Sequence, residues 1–132
     1  MRGELVEAVL EVAAMVPAGK VLSYGDIAEL LGAAGPRQAG RVMALHGGAV
    51  SWWRTIRAEG SLPPDLMRQA LAHYRREGTE LVFPPGAGTD ALPRVRMAAA
   101  RWMPGERDFA RIDCVAAALR TKLSAPAGGI EP

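Results

Sequence analysis

The tetrapeptide Ser51-Trp52-Trp53-Arg54 brings two indoles and a guanidinium together in a chain of 132 residues. Indole is neither a nucleophile for group transfer nor a general base, so Trp52 and Trp53 cannot supply covalent or acid–base catalysis. They can supply a flat surface, because stacking of a nucleobase on an aromatic ring is worth roughly 1–3 kcal/mol. These residues therefore favour recognition of a planar ligand, with core packing of the two indoles as the alternative.

The only thiol of the chain, Cys114, is the remaining candidate nucleophile. It lies in the apolar segment 112–116, and its neighbour Asp113 carries a negative charge that disfavours a thiolate. We therefore expect Cys114 to be a buried structural residue. A single cysteine excludes an internal disulfide and indicates a reducing cytoplasm. No Cys/His cluster has the spacing of a zinc site, and we expect neither a metal nor a cofactor.

Charge is distributed unevenly along the chain, although the net charge is only +2. The window from Leu30 to Ala58 contains no acidic residue and four arginines, which are Arg37, Arg41, Arg54 and Arg57. A local basic field without counter-charges is what contact with nucleic-acid phosphates requires. Chance clustering among 16 basic residues is the alternative explanation.

The first half of the chain has the pattern of a helix-turn-helix. Apolar periodicity predicts a helix over 3–16, and Ser23 with Asp26 three residues later predicts a capped helix start. Pro36 suits the first position of a following helix that should end near His46. Two short helices joined by a tight turn form this motif.

The second half of the chain is predicted as a series of shorter elements. No apolar stretch has the length of a membrane span, and the N-terminal pattern is not that of a signal peptide. We expect an extended segment over 52–57, a helix over 63–77, a strand over 81–83, a linker over 84–88, short helices over 94–102 and 112–123, and a frayed tail over 125–132.

Three blocks of sequence, Val21–Ala28, Gly35–Met43 and Ser51–Ile56, together resemble the DNA-binding domain of the O6-alkylguanine-DNA alkyltransferases. That family has Pro-Cys-His-Arg where this chain has Ser51-Trp52-Trp53-Arg54. The chain therefore resembles an alkyltransferase-like protein, in which tryptophan replaces the nucleophilic cysteine. The resemblance extends to about residue 83 and implies a mainly α fold, a winged helix-turn-helix with a minimal β wing over 1–83. The linker and C-terminal helical extension over 84–132 are predicted from their own residues and carry no family signature.

The resemblance also implies roles for individual residues. Arg37 aligns with an arginine that enters the base stack when a nucleotide is flipped out, and Tyr24 aligns with a tyrosine that crowds the phosphate of that nucleotide. Gly40 either slims the recognition helix for the minor groove or allows close packing on the preceding helix. The expected DNA contacts are Tyr24, Arg37, Gln38, Gly40, Arg41 and Arg54, and the expected alkylguanine pocket is formed by Tyr24, Trp52 and Trp53.

The function that follows is non-enzymatic recognition of DNA damage. The protein should bind duplex DNA in the minor groove as a monomer and flip O6-alkylguanine, and the resemblance implies that this flags the lesion for the nucleotide-excision repair machinery. One alternative is a winged-helix transcription regulator that reads base edges in the major groove. Against it, Gln38 is the one base-reading polar residue besides the arginines on the predicted recognition helix. Another alternative is an enzyme that uses Cys114.

Overall fold

Helices dominate the computed structural model, which describes residues 3–86, 88 and 91–124. The short turn Trp52–Arg54 is called the tryptophan turn below. The helices are α1 (Gly3–Met15), α2 (Tyr24–Leu31), α3 (Pro36–His46), α4 (Pro64–Glu77), α5 (Met97–Ala100) and α6 (Glu106–Ser124), and the strands are β1 (Leu22–Ser23), β2 (Thr55–Ile56), β3 (Leu81–Val82) and β4 (Arg94–Val95).

The predicted helix-turn-helix is confirmed as α2 and α3, and its local chemistry explains its boundaries. The Ser23 side chain accepts a hydrogen bond from the Asp26 backbone N–H, and the Asp26 carboxylate accepts one from the Ser23 N–H. This reciprocal capping satisfies two backbone donors at the start of α2. Gly32 ends α2 in the left-handed conformation, at φ 66°. Ala34 is also left-handed, at φ 65°, which costs an alanine about 1–2 kcal/mol.

Two small sheets hold the remaining segments against these helices. β1 pairs in parallel with β2, and β3 pairs antiparallel with β4 to form the minimal wing. Gly60 lies in the turn after β2 at φ 91°, where a Cβ would collide with the carbonyl oxygen of Val95. Only glycine therefore allows this turn to close on β4.

The segment beyond residue 83 contributes to the hydrophobic core. Trp102 and the buried residues of α6 pack with α1, and Val21 forms a parallel bridge with Arg101. A domain boundary at residue 83 stays a prediction. A second cluster is built mainly from α4, β2 and β4; its buried members are Val21, Ile56, Leu62, Met67, Ala70, Tyr74, Val95 and Ala100.

Four expectations about local structure were wrong. The segment 52–57 is extended only from Thr55 onward, because the tryptophan turn precedes it. The segment 94–102 begins as a strand, and α6 begins at Glu106 rather than near 112. Cys114 is exposed. The buried stripe of α6 is formed by Ile112, Ala116 and Leu119, and the thiol lies outside that stripe. The expected tail over 125–132 lies outside the described residues.

Across the part of the chain that the structure describes, none of the helices combines the length and the apolar character needed to cross a bilayer.

Candidate nucleic-acid interface and base cavity

The exposed side of α3 carries two arginines that the protein itself does not neutralise. Arg37 and Arg41 are both exposed, and within the described residues neither side chain has an ion pair or hydrogen bond. Gln38 lies between them, but its Oε1 accepts a hydrogen bond from the Gly35 N–H at 3.1 Å. Gln38 thus caps α3, which uses one of its polar atoms within the protein. The arginines remain available for phosphates or bases.

Gly40 brings α3 close to the ring of Tyr24. A Cβ at position 40 would stand 3.2 Å from Cδ2 of Tyr24, a separation tighter than most real Cβ contacts. Of the two explanations for Gly40, close packing on the preceding helix is the one that this geometry supports. Burial raises the pKa of the Tyr24 phenol, and the nearby charge of Arg57 acts against that rise. The phenol therefore stays protonated and is able to donate a hydrogen bond.

A cavity of about 390 Å³ opens beside this contact. Its size falls within the range of roughly 300–1,000 Å³ that is usual for small-ligand sites. Aromatic and aliphatic side chains form most of its wall, together with a few polar groups. The lining residues are Tyr24, Gly40, Met43, Ala44, Gly48, Trp52, Thr55, Arg57, Leu62, Pro63, Leu66 and Gln69.

Trp52 and Trp53 have different surroundings, although they are adjacent in the chain. Trp52 lines the cavity, while Trp53 does not. The Trp53 ring instead stacks on His73, with centroids 3.5 Å apart and planes 8° from parallel. Trp52 meets Trp53 edge-on at 5.6 Å. The expected place of Trp53 in the pocket is thus not supported, and Trp53 instead helps to fix the orientation of Trp52.

The carboxylate of Glu77 ties the tryptophan turn to the rest of the fold. Its Oε2 accepts hydrogen bonds from the Trp53 indole N–H at 2.9 Å and from Arg54 Nη2 at 2.6 Å. Its Oε1 accepts from Arg54 Nε and from the Gly19 backbone N–H, both at 3.1 Å. Tyr74 adds a hydrogen bond from its hydroxyl to the Trp53 carbonyl at 2.7 Å.

These bonds change the interpretation of Arg54. Its Nη1 also donates to the Val16 carbonyl, and its side chain is only 18% exposed. The guanidinium is thus held within the protein, and we leave Arg54 out of the proposed DNA contacts. Burial works to raise the pKa of Glu77, but the hydrogen bonds from Arg54, Gly19 and Trp53 outweigh it, so the pKa lies below its ordinary value.

Sequence reasoning missed both Glu77 and His73 as supports of the tryptophan turn. A signal was present for Glu77, because a carboxylate in the last turn of a helix opposes the helix dipole. A residue in an unfavourable local position is often held there by a distant partner. His73 carried no comparable signal, because its role depends on a stack with Trp53 that only the structure shows.

Gly40→Val should displace the Tyr24 ring from the cavity wall, because the added methyl groups extend beyond a Cβ position that is already tight. If the cavity receives a base, we expect affinity for damaged duplex to fall roughly tenfold, the scale of a modest overpacking cost. Fluorescence anisotropy with labelled duplexes measures this. Gly3→Val is the matched control, since Gly3 is helical and faces open space. Equal effects of the two substitutions would contradict the role of the Gly40–Tyr24 contact.

The sequence is similar to a known family and to named proteins of two bacteria. Residues 4–78 match the family described as 6-O-methylguanine DNA methyltransferase, DNA binding domain. A protein of Escherichia coli (strain K12), named DNA base-flipping protein, is 34% identical over 94 residues, which cover 67% of this chain and 70% of that protein. A protein of the same name from Shigella flexneri matches equally well.

Solved structures agree with the fold. Atl1 of S. pombe, crystallised with damaged DNA that contains O6-carboxymethylguanine, superposes with a TM-score of 0.65 at 24% identity. A second S. pombe ATL structure, also in complex with DNA, superposes with the same score at 25% identity. Each match covers 79% of this chain and 99% of the other.

Proposed function

Because this chain belongs to the family that carries the 6-O-methylguanine DNA methyltransferase DNA-binding domain, we propose that it recognises damaged DNA by base flipping and performs no chemistry on it. In this proposal, α3 lies in the minor groove of the duplex. Arg37 enters the base stack, Tyr24 crowds the phosphate of the extruded nucleotide, and Arg41 contacts a neighbouring phosphate. The O6-alkylguanine rests in the cavity beside Trp52.

The free-energy cost of extruding a base is offset by the contacts that the protein then makes. Flipping a base out of the duplex costs a few kcal/mol in lost stacking. The planar guanidinium of Arg37 restores part of that stacking, and contact of the extruded base with Trp52 is worth roughly another 1–3 kcal/mol. The largely apolar cavity wall adds burial of the alkyl group, at about 0.8 kcal/mol for each buried CH₂. A damaged base therefore gains more from extrusion than an unmodified guanine.

The observation that carries the proposal is the identity and position of Trp52. Its indole lines the cavity, where a transferase would need a thiolate, and it offers no atom suited to displacement at an alkyl carbon. The thiol of Cys114 lies elsewhere, in a groove between α1 and α6. A base held against Trp52 would keep its alkyl group.

A stable complex of this kind would mark the lesion rather than repair it. We propose that the protein acts as a monomer on nucleoid DNA in the cytoplasm, and that the nucleotide-excision repair machinery reads the complex. The resemblance to alkyltransferase-like proteins supports this handover.

Two measurements on one sample test the proposal. Affinity for a duplex with one O6-methylguanine should exceed affinity for the undamaged duplex by at least about tenfold, the value of one good base contact. After incubation with excess damaged duplex, intact-protein mass spectrometry should show an unchanged mass. A gain of one methyl group on any residue would show that the protein is a transferase, and equal affinity for both duplexes would refute damage recognition.

A further inference from the structure

Strand β2 and the residue after it present alternating faces. Ile56 is fully buried in the second cluster, packed with Tyr74 and Val21. Side chains two residues apart on an extended segment share a face, so Thr55 and Arg57 lie opposite Ile56. Both of them line the cavity. One wall of the cavity is thus formed by a hydroxyl-bearing residue and a guanidinium-bearing residue.

Thr55, one of the residues that line the cavity, has a buried hydroxyl that makes no hydrogen bond within the described protein. The residue is 1% exposed, and its hydroxyl oxygen has no hydrogen-bond partner within the described protein. A buried hydroxyl without a partner costs about 1–3 kcal/mol. A valine would have the same shape without that cost. Because Thr55 also lines the cavity, we take a bound ligand as the source of the missing partner.

The Arg57 guanidinium is similarly uncommitted. Within the described residues it has no ion pair or side-chain hydrogen bond, in contrast to Arg54, whose guanidinium makes three hydrogen bonds. No Asp or Glu is among the residues described as lining the cavity, so Arg57 is their one charged member. Tyr24, Trp52 and Gln69 add further side-chain donors to the cavity lining, and Arg57 adds the positive charge. A simple alkyl group such as methyl uses none of them.

We propose that the cavity prefers guanines whose O6 substituent ends in a carboxylate, with Arg57 and Thr55 as the residues that determine this specificity. O6-carboxymethylguanine is the smallest lesion of this class. A carboxylate accepts two parallel hydrogen bonds from one guanidinium, and its remaining lone pairs match the hydroxyl donors. The inference rests on the proposed function, because the base must first enter the cavity.

The experiment separates charge from size. Affinities are measured at one salt concentration for four otherwise identical duplexes: undamaged, O6-methyl, O6-carboxymethyl and O6-carbamoylmethyl. The last two substituents have the same number of heavy atoms, but only carboxymethyl is charged. We expect the protein to bind the carboxymethyl duplex about tenfold more tightly than the carbamoylmethyl duplex, the scale of one charge-assisted hydrogen bond.

Variants assign the preference to its residues. Arg57→Gln should bring the carboxymethyl-to-carbamoylmethyl ratio to about one, while O6-methyl binding changes less than threefold. Arg41→Gln is the matched control, because it removes an equal charge outside the cavity and should weaken all four duplexes alike. Thr55→Val should lower the ratio partially while its Tm equals or exceeds that of the parent. A loss of preference accompanied by a stable fold cannot be attributed to unfolding.

Each contrary result has a distinct meaning. If Arg57→Gln weakens all four duplexes by one factor, Arg57 is a phosphate contact and the proposal is overturned. If the parent binds the carboxymethyl and carbamoylmethyl duplexes equally, but both better than undamaged DNA, the carboxylate preference is refuted while base flipping stands. If the parent shows no preference over undamaged DNA, both the carboxylate preference and the proposed function fail.

Discussion

Arg37→Ala should remove most of the preference for damaged duplex. The side chain is exposed at the start of α3, where a cation opposes the helix dipole, so its removal should not harm the fold. We expect affinity for the O6-methylguanine duplex to fall roughly 30- to 100-fold, the value of the stacking that the guanidinium restores. Affinity for undamaged duplex should fall only about threefold, because one cation is lost.

A lysine at the same position distinguishes stacking from charge. Arg37→Lys keeps the positive charge but lacks the planar group, so it should restore undamaged-duplex affinity without restoring base flipping. A fluorescent base analogue beside the lesion reports extrusion directly. Full extrusion by Arg37→Ala would show that another side chain fills the base stack, and the assignment would then be wrong.

Glu77→Gln should cost about 3 kcal/mol in the free energy of unfolding, measured by urea denaturation. The substitution leaves the largely buried Arg54 guanidinium without a counter-charge and turns an amide N–H₂ toward groups that are themselves donors. Asp65→Asn on the same helix is the control. Its ion pair with Arg68 is exposed, so the change should stay within about 0.5 kcal/mol. Equal effects of the two substitutions would contradict the anchoring role of Glu77.

The same carboxylate sets part of the response to acid. The pKa of Glu77 is lower in the folded protein than its ordinary value of about 4.5. Its contribution to stability is therefore complete above pH 4.5 and is lost as pH falls through the folded-state pKa. Between pH 4.5 and the lower pKa of the folded state, the stability of the parent should decline more steeply with acid than that of Glu77→Gln. If the stability of the parent and that of Glu77→Gln fell in parallel with pH, the pKa of Glu77 would be the same in the folded and unfolded states.

Features that depend on neighbouring residues could be predicted from the sequence. The reciprocal caps of Ser23 and Asp26, the proline that opens α3 and the glycine after α4 act within a few residues, and each helix boundary that they predict is confirmed. The cavity side chains Tyr24 and Trp52 were also predicted, but through resemblance to a family. Their placement around one cavity could not be derived from spacing.

Features that depend on distant residues were mispredicted. Alternation along an extended segment would turn one indole inward and one outward. Instead, the Trp53 indole donates to Glu77 and the Trp53 carbonyl accepts from Tyr74, and both bonds hold the chain in the tryptophan turn. Those partners lie 21 and 24 residues further along the chain, which no local pattern records. The exposure of Cys114, by contrast, could have been predicted from the sequence. The buried stripe of the helix runs through Ile112, Ala116 and Leu119, and Cys114 lies on the opposite side of the helix.

The packing of α6 on α1 also affects the order in which the chain folds during its synthesis. The two helices lie far apart in sequence, yet Val9 and Val12 share one hydrophobic cluster with Ile112 and Leu119. Contacts between distant segments form late, because the chain entropy of closing such a loop is lost before the contact stabilises it. During synthesis, the DNA-reading helices would leave the ribosome before the helix that completes their core. A nascent chain would therefore compete poorly for lesions until α6 has emerged, and full-length molecules would occupy the damaged sites.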